Sequence, residues 1–76
     1  MATVKVTVGN EFAQGLIEEF ITQVDISDLA EVEMCASECM GAYLEMHEGV
    51  WATIDASFDV IADACFYTLE EVVDND

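Results

Sequence analysis

From Thr3 to Val8 the chain alternates, with Thr3, Lys5 and Thr7 on one side and Val4, Val6 and Val8 on the other. A period of two predicts a short strand with one apolar face. Gly9-Asn10 interrupts it, with Asn10 suited to an N-cap, and Phe12, Leu16, Ile17, Phe20, Ile21 and Val24 then recur at helical spacing. This predicts a first helix near residues 10 to 24. Ser27 or Asp28 caps a second, near 28 to 47, whose apolar series Leu29, Val32, Ala36, Cys39, Met40, Tyr43 and His47 runs on to Gly49. A third series, Trp51, Ile54, Phe58, Ile61, Ala62, Cys65, Phe66, Leu69, Val72 and Val73, predicts a helix near 51 to 73, and no proline interrupts it.

The short connections favour antiparallel neighbours. The expected architecture is therefore mainly α, a single domain over residues 1–76 built as a three-helix bundle with a short N-terminal β-strand. That strand has no clear mate, since no other run alternates as well and Val50 to Asp55 is only a weak candidate. Two readings follow. The strand pairs outside the chain, with a second copy as a homodimer or with a target's sheet edge, or it packs loosely on the bundle.

Charge changes the picture more than composition does. The 76 residues carry 17 Asp or Glu against one Lys or Arg, a formal net charge of −16, yet 54% of them are hydrophobic. An acidic disordered tail lacks apolar and aromatic residues, so this chain should fold. With Lys5 as its single strongly basic side chain, it cannot neutralise phosphates, which excludes ordinary binding to nucleic acid and attraction to anionic membranes. The partner this charge calls for is a basic protein. No apolar stretch reaches the roughly 18 residues of a membrane span, and the N-terminus lacks a signal-peptide core. Three cysteines, Cys35, Cys39 and Cys65, suit a reducing compartment, and together these features predict a soluble cytoplasmic protein.

The acids are spaced regularly. Glu11, Glu18 and Asp25 are seven apart, as are Glu31, Glu38 and Glu45, and Asp55, Asp59 and Asp63 follow at intervals of four, continued by Glu70, Glu71, Asp74 and Asp76. Four residues advance a helix by about 6 Å, similar to the spacing of successive phosphates on a strand. Like charges at that spacing cost a helix about 0.2 to 0.5 kcal/mol per pair, and almost no Lys or Arg offsets them. Selection for stability alone would interleave lysines. A solvated face is the ordinary explanation of a charge run, but the near absence of the other sign weakens it here. The leading partner-binding residues are then Asp55, Asp59, Asp63 and Glu70, with Glu31, Glu38 and Glu45 as a second row and Tyr67 as an aromatic contact beside them.

Catalytic and metal chemistry find little support. The spacing of Cys35, Cys39, His47 and Cys65 allows a metal site, but Cys-x-x-x-Cys on a helix lacks the tight knuckle of zinc motifs, and burial as thiols is the commoner outcome. The calcium loop of an EF-hand is absent, and no nucleophile and base stand out. Asp25-Ile26-Ser27-Asp28-Leu29 disturbs the order of the acyl-carrier motif, which leaves Ser27 as a cap. The reading is of a protein that is no enzyme and uses no cofactor.

In size, charge and carboxylate rows the chain resembles the small acidic DNA-mimic proteins, anti-restriction and anti-CRISPR, by which phages and mobile elements disarm host nucleases. The resemblance is of type and spans the whole chain as a charge pattern without a shared motif. It implies an inhibitor in the host cytosol that occupies the DNA- or RNA-binding groove of a CRISPR effector or restriction nuclease, with carboxylates in place of phosphates. The alternative is an acidic adaptor or antitoxin-like protein that binds a basic partner without displacing nucleic acid.

Overall fold

The computed structural model describes residues 1–72 of the chain. The alternating segment is a strand, β1 (Ala2–Asn10), with Val4, Val6 and Val8 fully buried. It is followed by β2 (Ala13–Val24), α1 (Leu29–Met46), α2 (Glu48–Trp51), α3 (Phe58–Asp63) and β3 (Cys65–Glu71). The strands form one antiparallel sheet in the order β2-β1-β3.

The expected mainly α three-helix bundle is therefore incorrect. The helix expected near 10 to 24 is β2, and the one expected near 51 to 73 divides into α2, α3 and β3, leaving only the helix near 28 to 47 as α1. Asp74 and Val73, at the end of the third apolar and acidic series, lie outside the described residues, as does Asp76. The doublets Leu16-Ile17 and Phe20-Ile21 explain the first error, because pairs four apart satisfy a helical stripe and also a strand that is apolar on both faces. In β2 they split: Leu16 and Phe20 pack on the core, while Ile17 and Ile21 are exposed. Backbone pairing decides between the two. Buried between helices, β1 would leave its N–H and C=O groups without partners, a cost that outweighs local helical periodicity. β2 and β3 satisfy one edge each.

That arrangement also answers where the N-terminal strand pairs. β1 is central, bonded to β2 from Ala2 opposite Val24 to Val8 opposite Glu18, and to β3 from Val4 opposite Glu71 to Asn10 opposite Cys65. Neither edge of β1 is free for a second copy or a target strand. Val50 to Asp55 forms the end of α2 and the turn after it.

Asn10 fixes the end of β1 where sequence suggested a helix cap. Its buried side chain donates from Nδ2 to the Ile61 carbonyl at 2.7 Å and accepts at Oδ1 from the Phe12 N–H at 2.9 Å. The strand end, the hairpin turn and α3 are tied by that one amide. The cap of α1 is Asp28, which accepts from the N–H groups of Ala30 and Glu31. One face of α1 buries Ala36 and brings Cys39, Tyr43 and Leu44 onto the valines of β1, and Trp51 and Ile61 close the same core. All helices lie on one side of the sheet's core face, and the molecule measures 45 × 26 × 16 Å, a thin plate.

Candidate acidic interface

α1 carries its acids outward because its opposite face is committed to the sheet. Glu31, Glu38 and Glu45 are all exposed, two turns apart, so each step along the row is about 10.5 Å. Glu31 lies in the first turn, where the helix dipole favours an anion. Glu45 lies in the last, where no basic residue offsets it and the dipole opposes it. The row is thus kept at some cost to the helix.

The other expected row does not hold together. Asp55 precedes the N-cap Ser57, Asp59 and Asp63 sit on α3, and Ala64 then passes directly into β3. Asp59 and Asp63 remain one helical turn apart, but the chain turns into a strand before Glu70. Glu70 pairs in register with Lys5, on the sheet face away from the helices, whereas Tyr67 lies opposite Val8 and so on the helix side. The continuous stripe through Asp55, Asp59, Asp63 and Glu70 is therefore corrected to a short α3 pair with Asp55 nearby and a separate Glu70.

The single lysine is already engaged. Its Nζ lies 3.3 Å from a Glu19 carboxylate oxygen and 3.9 Å from one of Glu70. The alternation of β1 carried that information, because it sets Lys5 opposite the buried valines. Another carboxylate, Glu18, lies 3.2 Å from the Nε2 of His47 and joins β2 to the end of α1. His47 packs edge-on against Tyr43, with centroids 5.2 Å apart, and against Trp51 at 6.4 Å. These rings form a small aromatic cluster at the joint between α1 and α2. Trp51 donates from Nε1 to the Leu44 carbonyl at 2.9 Å.

Titration at the site is local. Asp25 accepts from both the hydroxyl and the N–H of Ser27, which holds its carboxyl below the usual 3.8. Burial pushes the Cys39 thiol up from 9.0 to about 11, with Cys35 beside it adding to the shift. Cys35 and Cys39 are thus neighbours on α1, while Cys65 accepts a contact from Asn10 Nδ2 at 3.3 Å. Among the described residues no group of three or more His, Cys, Asp or Glu side chains is placed to hold a metal ion, and no helix is long and apolar enough to cross a membrane.

Sequence reasoning missed a notch beside these acids. A cavity of about 430 Å³ opens between α2 and α3, walled by Trp51, Ile54, Ala56, Phe58 and Ile61, with Glu48 at its rim. An apolar wall with one carboxylate at the mouth suits a long basic side chain, whose methylenes pack while its charged head reaches the acid. Its signal in the sequence is the apolar spacing of Trp51, Ile54, Phe58 and Ile61, which fits a continuous helix face equally well.

No protein-family model matches the chain, and neither does a curated protein or a solved structure.

Proposed function

We propose that the protein is a non-enzymatic inhibitor that occupies the nucleic-acid-binding groove of a basic host defence protein, a CRISPR effector or a restriction nuclease, with exposed carboxylates standing in for phosphates. The observation that carries this reading is charge density on a thin plate. The described residues carry 15 Asp or Glu against Lys5, a net charge of −14, which over a long axis of 45 Å is one charge per about 3 Å. One nucleic-acid strand carries a charge per about 3.4 Å. A field of one sign at that density steers a basic groove onto the plate and speeds association by about 10 to 1000-fold, fading with salt. The row Glu31, Glu38 and Glu45 is its most regular part, with Asp59 and Asp63 on α3 and Asp55 just ahead of it as the second acidic patch.

The test is a competition gel in which the protein is titrated against labelled duplex bound to a purified CRISPR effector or restriction nuclease. Displacement of the duplex is expected, and the triple variant Glu31→Lys, Glu38→Lys, Glu45→Lys should lose it while keeping its helix content. Failure to displace nucleic acid from any protein that the chain captures would end the mimic reading. The adaptor or antitoxin-like alternative has one observation in its favour, the apolar notch, which phosphate mimicry alone does not require. It expects capture of a basic protein whose DNA or RNA affinity stays the same.

A further inference from the structure

The helices cover one face of the sheet, and the described residues leave the other bare. Alternation along β2 and β3 puts Ile17, Ile21 and Phe66 on that bare face, where they are 44%, 63% and 44% exposed. Two of them meet over Gly9: a Cβ there would lie 2.6 Å from the Phe66 ring and 2.8 Å from the tip of Ile17, while Ile21 stands opposite Lys5. A sheet with an apolar stripe on each face is one that a further layer completes.

Charge decides what that layer is. The bare face carries Lys5 with its two ion-pair partners, Glu19 and Glu70, and so is close to neutral on a molecule of net charge −16. The chain has no other Lys or Arg, and the helix side presents the exposed acids of α1 and α3. A second copy therefore meets the first through this face without setting rows of carboxylates against each other. A basic partner, in contrast, is drawn to the helix side. Three strands about 4.8 Å apart, paired over about seven residues, make a patch of roughly 14 by 23 Å, and two such patches bury on the order of 650 Å². That area supports a weak, reversible dimer rather than an obligate one.

We propose that two copies of the chain pair through the uncovered sheet face, as a back-to-back sandwich with Ile17, Ile21 and Phe66 at its centre. The acidic face of each α1 then points outward on both sides. The dimer stands independently of the inhibitor reading, and salt separates the two. Repulsion between the two charged plates opposes pairing, so salt strengthens the dimer, whereas salt weakens capture of a basic partner.

The experiment is sedimentation equilibrium of the full chain alone, at about 0.01 M and about 1 M salt, where the Debye lengths are about 30 and 3 Å. The mass should move from 8.3 kDa towards twice that value as salt rises. Ile21→Asp sets two like charges across the interface and should weaken pairing by at least about tenfold without touching the core. Lys5→Glu, which leaves three acids on the face, should act the same way and serves if the first variant fails to fold. A chain that stays at 8.3 kDa in high salt overturns the proposal and leaves the face to a different protein. A dimer that both folded variants keep at full strength overturns it as well, because another surface must then hold it.

Discussion

The hydroxyl of Tyr43, fully buried on α1, donates to the backbone carbonyl of Leu16 at 2.7 Å. Leu16 lies where β2 slips out of register with β1, between the pairs Val8 with Glu18 and Asn10 with Ala13. A helix side chain thus serves the backbone of an irregular strand. Tyr43→Phe keeps the packing and removes the donor, so it should cost about 1 to 2 kcal/mol in urea unfolding. A loss below the error of the measurement would mean that solvent satisfies the carbonyl instead.

Gly9 and Phe66 form a cross-strand pair, in which the ring covers the bare glycine. Gly9→Ala forces the ring and the tip of Ile17 aside, while alanine loses less backbone entropy than glycine, so the two effects offset each other to within about 1 kcal/mol. Phe66→Ala should cost about 0.2 to 1 kcal/mol. The double variant tests the contact: Gly9→Ala should be more favourable by a few tenths of a kcal/mol once the ring is gone. Strict additivity in thermal unfolding would show that the ring does not rest on Gly9.

Glu45→Lys should stabilise the isolated protein by about 0.3 to 1 kcal/mol, since it places a cation at the C-terminal end of α1. The same change should weaken capture of a basic partner and flatten its salt dependence. Opposite signs for stability and binding, read from melting temperature and from binding at low salt, are the signature of a residue kept for its contact. Equal or better binding by the variant would remove Glu45 from the interface.

Alkaline pH should destabilise the fold through two buried groups. Burial raises the Cys39 thiol from 9.0 to about 11, and it also raises the Tyr43 hydroxyl above its ordinary 10.0, with Cys65 and Glu18 adding to the shift. Both groups stay protonated in the folded state while the unfolded chain releases their protons. Stability is therefore full below pH 9 and falls as pH rises towards 11. Urea midpoints at pH 8 and pH 10.5 should differ by less in Cys39→Ala than in the parent, and an unchanged difference would discount the thiol.

The sequence alone determined β1, α1 and the charge. Alternating valines have one reading, a strand with one buried face, and the run from Asp28 to His47 combines a cap with an unbroken helical stripe. The carboxylate row of α1 was legible for the same reason, because residues seven apart stay on one side of any helix. Only the tertiary structure decided β2 and β3. Ile17, Ile21 and Phe66 read as parts of helical stripes because apolar residues on both faces of a strand imitate a period of 3.6, and no local signal distinguishes the two. What distinguishes them is the need of β1, distant in sequence, for partners on both edges. That same pairing sent Glu70 to the face opposite Tyr67 and dissolved the expected third row, because in a strand neighbours alternate sides where in a helix they would have shared one.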